Sequence, residues 1–230
     1  MAIDLGKRKI KPQNLTVDAV RKSIFHNIDE FDEYIYLIEE VLDNKEKKFV
    51  DRLKLEAENH EYYNFDEISE FFIDDWNQIG AVFPTIFRKS IFLSLFSLFE
   101  FEINNVCHKL SSLNTQIKSF KPQTPYTLTA KNFLDTVITK KSHIAETAWN
   151  QIDIYRCIRN VIVHNGSRFY DDTQNYERIK DFIEEHTGEN FIEVTKSGYM
   201  FYSKEFILFF IDNIRIYFNE VFQLIESQYQ

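Results

Sequence analysis

Apolar residues recur at helical spacing along most of the chain. Between residues 17 and 59, for example, Ile28, Phe31, Ile35, Ile38 and Leu42 fall on one helical face. The same periodicity continues with few interruptions to the end of the sequence. It predicts helices over residues 17–59, 66–79, 85–112, 131–138, 144–164, 171–187 and 204–227.

The interruptions between these helices carry turn signals. Gly80 and Pro84 predict a break between the second and third helices, and the proline-containing stretch 113–129 predicts a loop. Asp172 or Thr173 is suited to cap the helix at 171–187. Residues 191–195 and 199–202 are joined through Lys196, Ser197 and Gly198 and predict a small β-hairpin.

Composition favours the same fold class. The chain has 23 phenylalanines and 12 tyrosines but only five glycines and four prolines. Few turn-forming residues favour long helices with short connections over a many-stranded sandwich. We therefore predict an all-α fold with a long buried central helix and one small hairpin. No repeat or linker divides the sequence, so we expect a single domain over 1–230, with an N-terminal helical extension at 1–80 and a core at 83–228.

Net charge limits the partners that the surface can bind. At −9, the chain lacks the extended basic surface that usually grips nucleic acid, although a small basic cleft on an acidic body is compatible with this value. The densest basic cluster, Lys7, Arg8, Lys9 and Lys11, is expected to be a solvated tail.

Cysteine usage and hydropathy indicate the compartment. Cys107 and Cys157 each lie in an apolar helical segment and fit reduced, buried thiols better than a disulfide. No signal peptide opens the chain. The most apolar run, 91–103, contains Glu100 and Glu102 and is short for a membrane span. We therefore expect a cytoplasmic protein without a membrane partner.

The helix at 85–112 carries a polar stripe on a largely apolar surface. At about 100° per residue, one narrow stripe collects five polar residues: Ser90, Ser94, Ser97, Asn104 and His108. The stripe has two interpretations. The serines ease close packing of a second helix, or Asn104 and Glu100, with His108, support polar side chains from the helix at 144–164.

The helix at 144–164, which we call the motif helix, carries apolar residues on one side and polar residues on the other. Five apolar residues gather on one side: Ile154, Tyr155, Ile158, Val161 and Ile162. Arg156, Arg159, Asn160 and His164 lie on the other, within an arc of about 140°. This polar face is not needed for the core.

The polar face suits a phosphodiester. A guanidinium binds phosphate oxygens in a planar fork, and an imidazole can transfer protons near neutral pH. Together they could cleave RNA without metal through the ribose 2′-hydroxyl, with Asn160 orienting the imidazole or the substrate. The six histidines are scattered, and no metal-ligand spacing or cofactor motif is apparent. The simpler alternative is a helix terminus with His164 in the last turn and Gly166 as its left-handed C′ residue.

The stretch YRCIRNVIVHNG at 155–166, preceded by SIFLSLFSLFEFEIN, resembles the HEPN superfamily of α-helical RNases. Their signature is an arginine, four to six residues and then a histidine, with a polar residue directly after the arginine, and it maps onto Arg159, Asn160 and His164. The resemblance covers about residues 83–223. In toxin–antitoxin members silenced by a nucleotidyltransferase, a tyrosine follows two places after the histidine, where this chain has Gly166.

The resemblance is closest to HEPN proteins of abortive-infection and phage-defence loci. It implies a HEPN-like helical bundle that forms a homodimer, joins two motifs across the interface and cleaves RNA, tRNA being one candidate. It also implies a toxin or antiviral hydrolase with a neutralising or activating protein partner. Arg159 and His164 would be catalytic, Asn160 orienting and Arg156 substrate-binding, with Glu100 and Asn104 supporting. The alternative is a non-catalytic HEPN-fold adaptor that binds a protein partner or a nucleotide.

Overall fold

A computed structural model describes residues 12–60, 62–113 and 119–229 of the chain. The predicted basic cluster at residues 7–11 lies outside this described part. The helices are α1 (Pro12–Asn59), α2 (Phe65–Phe71), α3 (Ile73–Asn77), α4 (Phe83–Leu113), α5 (Tyr126–Val137), α6 (His143–Asn165), α7 (Tyr176–Glu185) and α8 (Lys204–Tyr229). The strands are β1 (Ile192–Val194) and β2 (Met200–Tyr202).

The predicted all-α fold with one hairpin is confirmed. β1 and β2 pair antiparallel, with Ile192 opposite Tyr202 and Val194 opposite Met200. Gly198 in the hairpin turn has a φ of +75°, and a Cβ there would lie 2.5 Å from the Tyr170 ring. Only glycine fits this turn without strain, because it tolerates positive φ and brings no side chain towards Tyr170.

The chain folds into two compact units, each built from separated segments. Among the described residues, the first comprises 12–29, 97–113, 119–149 and 214–229, and its core is aromatic: Phe99, Trp149, Tyr217 and Phe218 are all buried. Within it, the amine of Lys131 lies 2.7 Å from both carboxylate oxygens of Asp135 and 3.0 Å from Glu146. These ion pairs offset the free-energy cost of burying the charged amine of Lys131.

The second unit comprises residues 30–96 and 150–213 and contains most of the motif helix, α6. Its core is centred on the fully buried Tyr155, whose ring lies 4.5 Å from Phe210 and 4.8 Å from Phe206. The Tyr155 hydroxyl donates a 2.9 Å hydrogen bond to the Phe206 carbonyl oxygen. A buried phenol without a partner would be destabilising, so this bond fixes the register of α6 against the start of α8.

The predicted break at Gly80 and Pro84 is wrong. A π-helical turn, Gln78–Val82, joins α3 to α4, and the helical stretch Ile73–Ser112 is continuous. The N–H of Phe83 donates to the carbonyl oxygen of Gln78, five residues earlier. This wider turn accommodates a proline, which lacks an N–H and would otherwise clash with the carbonyl four residues before it.

Three other predicted helices differ in their bounds. The helix predicted at 66–79 is divided at Phe72 into α2 and α3. α5 begins at Tyr126, inside the predicted loop and before the predicted start at 131. α5 buries Ala130, Leu134 and Val137 along one side, and burial of this apolar face stabilises the helix although its first turn contains Thr127, a residue of modest helix propensity.

α7 begins at Tyr176, five residues later than the start predicted at 171, and neither Asp172 nor Thr173 caps it. The residue before it, Asn175, has a φ of +62°, which ends the preceding turn. Thr173 instead closes the turn from Tyr170: its Oγ1 accepts a 2.9 Å hydrogen bond from the Tyr170 N–H.

The serine stripe of α4 is exposed, although we predicted that it faces a second helix or supports the motif helix. Ser90, Ser94 and Ser97 are exposed, and Phe101 in the same stripe is 66% exposed. The Ser90 hydroxyl donates to the Ile86 carbonyl oxygen of its own helix. The opposite face of α4, including Phe92, Phe96 and Phe99, is buried.

The continuous helix is long enough to span a membrane, whereas the apolar run 91–103 taken alone is too short. The stretch Ile73–Ser112 is 40 residues long, has a mean hydropathy of 1.4 in its most apolar window and is long and apolar enough to cross a bilayer. The core helix of a soluble protein passes the same test, and 33% of that window is buried. Phe92 and Phe96 both pack on Phe210, as in a protein core.

Candidate active site

α6 presents the predicted motif as its two-sided pattern indicated. Tyr155, Ile158 and Val161 are buried, whereas Arg159 and Asn160 are half-buried and His164 is exposed. The polar residues therefore lie on the surface of the second unit, held by a helix whose opposite side is locked into its core. Such a rigid support keeps side chains in a defined geometry.

The end of α6 has the geometry expected of a glycine-terminated helix. Gly166 has a φ of +60° and Ser167 a φ of +66°, and the Ser167 N–H bonds back to the Val161 carbonyl oxygen at 3.3 Å. This left-handed turn places His164 in the last turn of the helix, where a positive imidazolium would interact favourably with the helix dipole. The terminus is consistent with both interpretations of His164.

Arg159 and Asn160 form a pair at the centre of the motif. The Arg159 Nη1 donates a 3.2 Å hydrogen bond to the Asn160 Oδ1. In the described part of the chain, Arg159 forms no ion pair, so its charge is available to an anion. Asn160 was predicted to orient the imidazole or the substrate, but in this structure it holds the guanidinium.

Arg156, by contrast, is engaged by a carboxylate. Its Nε donates a 2.7 Å hydrogen bond to Asp153 Oδ1, and Arg178 Nη1 from α7 donates at 2.9 Å to Asp153 Oδ2. Burial would raise the pKa of Asp153, but hydrogen bonds and positive charge from Arg156 and Arg178 outweigh it and lower that pKa below its ordinary value. Arg156 is therefore less available to substrate than Arg159.

Cys157 lies beneath these arginines. Its Sγ is 3.8 Å from Arg156 Nη2 and 3.9 Å from Arg178 Nη1. Burial raises the pKa of the Cys157 thiol in spite of the two guanidinium groups. The thiol is thus protonated near neutral pH, and it packs as a small apolar side chain rather than as a nucleophile.

The predicted supporting residues belong to the first unit. The Asn104 Nδ2 donates to the carbonyl oxygen of Glu100 on the same helix, and the buried Asn104 Oδ1 has no hydrogen-bond partner in the described structure. The His108 ring contacts the Phe120 ring edge-on at 5.0 Å. Support of the motif by Glu100 and Asn104 stays a prediction.

Sequence reasoning missed Arg178 and Arg168. Arg178 reaches Asp153 only because α7 packs beside α6, and no local pattern in the sequence indicates that contact. Arg168 is exposed just after the helix end and forms a β-bridge with Tyr199. Its position close after His164 was a signal that could have indicated additional positive charge near the motif.

No group of three or more His, Cys, Asp and Glu side chains that could hold a metal ion occurs within residues 12–60, 62–113 and 119–229. Comparison of the chain with protein-family models, curated proteins and solved structures gives no match.

Proposed function

We propose that the chain is a metal-independent endoribonuclease of the HEPN type that acts in the cytoplasm as a regulated toxin or in antiviral defence. The observation that carries the proposal is the pairing of a half-buried arginine, free of carboxylate partners in the described structure, with an exposed histidine on one helical face. A fixed cation and a titratable imidazole are the two groups that metal-free RNA cleavage requires.

In this proposal Arg159 binds the scissile phosphate, and Asn160 keeps its guanidinium in position. An imidazole removes the proton from the ribose 2′-hydroxyl, and the 2′-oxygen attacks phosphorus. The bond to the 5′-oxygen breaks, and a second imidazole protonates that oxygen. Arg159 stabilises the additional negative charge on the phosphorane. The products carry 2′,3′-cyclic phosphate and 5′-hydroxyl ends.

One chain supplies a single imidazole to the motif, so the proposal requires a homodimer in which His164 of one copy serves as base and that of the other as acid. The exposure of His164 and of neighbouring Val163, at 47%, leaves this part of α6 accessible to a second copy. A two-fold interface brings the same residues of both copies together.

A non-catalytic adaptor is the second candidate function. The observation that favours it is the net charge of −9, together with the neutralisation of Arg156 by Asp153. These leave little positive surface for a long RNA. The adaptor would use the exposed end of α6 to bind a protein partner or a nucleotide.

Incubation of the purified chain with total RNA and with tRNA in EDTA distinguishes the two functions. We expect cleavage that survives chelation and yields 5′-hydroxyl ends, and that disappears in His164→Ala. The ends are read by labelling with polynucleotide kinase before and after phosphatase treatment. Products with 5′-phosphates, or activity only after addition of Mg²⁺, would exclude the mechanism.

A further inference from the structure

Charge is unevenly distributed along the chain, and residues 55–87 form its longest stretch without Lys or Arg. This stretch contains eight Asp and Glu residues and no Lys or Arg, although the chain as a whole has 27 basic residues. Glu70, Asp74 and Asp75 are all exposed, and within the described structure none of them forms an ion pair. These three carboxylates therefore present negative charge that no ion pair in the described structure compensates, whereas Glu56 at the start of the stretch pairs with Arg52.

The same stretch exposes large apolar side chains. Tyr62 is 79% exposed, Phe71 69%, Ile73 53% and Tyr63 42%. Tyr63 and Phe71 contact each other edge-on, with ring centroids 5.6 Å apart, so these two exposed rings form one contiguous apolar surface. Contiguous apolar patches of this kind mark interaction sites more often than single exposed residues do.

The patch stands on folded structure. Asn64 and Glu67 form a reciprocal capping box at the start of α2. Ile68 of α2 packs in a small hydrophobic cluster with Phe49 and Leu53. Asp66, Glu67, Asp74 and Asp75 lie in the first turns of α2 and α3, where negative charge stabilises a helix. Helix stabilisation explains these carboxylates but not the exposure of the rings beside them.

We propose that this acidic aromatic surface, formed by Tyr62, Tyr63, Phe71 and Ile73 with the carboxylates of α2 and α3, binds a partner protein. The partner contributes a basic segment that bears large apolar side chains. Lys or Arg residues would pair with Glu70 and Asp74, and apolar side chains would cover Phe71 and Ile73. RNA is excluded as the occupant because the surface would repel phosphates. The inference is independent of the proposed nuclease, since it involves neither Arg159 nor His164.

The test uses the full chain and a fluorescein-labelled amphipathic peptide of about eighteen residues made of leucine and lysine. Fluorescence anisotropy should show saturable binding that weakens with salt. Phe71→Ser with Ile73→Ser should weaken binding about tenfold or more, because central aromatic contacts dominate such interfaces. The matched control is Tyr34→Ser with Leu37→Ser, which changes side chains that are 46% and 57% exposed on α1.

Three results would overturn the inference. One is equal binding of a peptide in which serine replaces every leucine, since that would reflect charge alone. Another is an equal loss of binding in the α1 control. The third is self-association of the chain that is abolished both by Phe71→Ser and by Lys→Glu and Arg→Glu changes at residues 7–11, because a second copy would then occupy the surface. Circular dichroism verifies that each variant is folded.

Discussion

Two arginines on one helix differ because of a single carboxylate. Asp153 lies one turn before Arg156 and binds it, whereas Arg159 contacts the neutral amide of Asn160. A guanidinium bound to a carboxylate has little remaining attraction for a phosphate, while one bound to an amide keeps its full charge. Arg159 is therefore the stronger candidate for phosphate binding, because Arg156 is bound by Asp153, the carboxylate that also holds Arg178 of α7.

His164→Ala separates catalysis from helix capping. If the imidazole is the acid and base, RNA cleavage should fall by about 10²–10⁴-fold. As a cap alone, it contributes only about 0.3–1 kcal/mol to the free energy of unfolding. Arg159→Ala should behave like His164→Ala. Cleavage assays and thermal melts measure the two effects, with Asn165→Ala, an exposed neighbour in the same turn, as the control. If His164→Ala cleaves RNA as fast as the wild type, helix capping is the only role that remains for His164.

Asp153→Asn should destabilise the protein in a pH-dependent way. The folded pKa of Asp153 lies below its ordinary value of 3.8, so its ionised form stabilises the fold above that pH. We expect a loss of about 2 kcal/mol at pH 7, because two charge-assisted hydrogen bonds are weakened. The difference from the wild type should persist to about pH 5 and diminish as the pH falls through the folded pKa.

Urea denaturation of both proteins between pH 7 and pH 3 measures this difference. The matched control is Asp172→Asn, an exposed carboxylate in the turn before α7. A difference between wild type and Asp153→Asn that grows as the pH falls would contradict the assigned direction of the pKa shift.

Among the elements, α6 packs one side into the core and carries the proposed catalytic residues on the other. Ile158 is fully buried and lies directly beside Arg159 in sequence, yet the two side chains have opposite environments. A helix turns by about 100° per residue, so adjacent residues can serve the core and the surface separately. The left-handed turn at Gly166 ends the helix, and with it the separation of core and surface residues, just beyond His164.

Ile158→Ala should therefore have the opposite effect to Arg159→Ala. Removing a fully buried isoleucine leaves a cavity and costs about 2–5 kcal/mol in the free energy of unfolding. Activity per folded molecule should be retained below the melting temperature. Ile144→Ala on the same helix is the control, because Ile144 is 56% exposed and should change stability little. Equal stability changes in the two variants would show that the packing of α6 is not as described.

In the whole molecule, the proposed reaction depends on a two-fold dimer formed around α6. We expect light scattering to report a dimer at micromolar concentration. If each site needs both copies of His164, an equal mixture of wild type and His164→Ala should retain roughly a quarter of the activity after subunit exchange, since mixed dimers would be inactive. Retention of half the activity would indicate sites that act within one chain, and a monomer would contradict the assembly.

The sequence by itself determined the local features of this protein. Helical periodicity predicted α1, α6 and α8 closely, because a helix is encoded by apolar residues repeated within a few turns. The hairpin was predicted from two short segments joined through Lys196, Ser197 and Gly198, and the structure shows that the turn requires glycine at position 198. The segregation of Arg159, Asn160 and His164 from the core side of α6 was predictable for the same reason, since it depends only on the angle between successive residues.

Only the tertiary structure decided which side chains meet and which remain exposed. Arg178 reaches Asp153 across 25 positions of sequence and thereby distinguishes Arg156 from Arg159. The π turn before α4 accommodates Pro84, which the sequence alone indicated as a break. The serine stripe of α4 proved exposed because the aromatic residues on its other face had the larger apolar area to bury. Such outcomes depend on competition between distant segments for the same core, which local patterns do not encode.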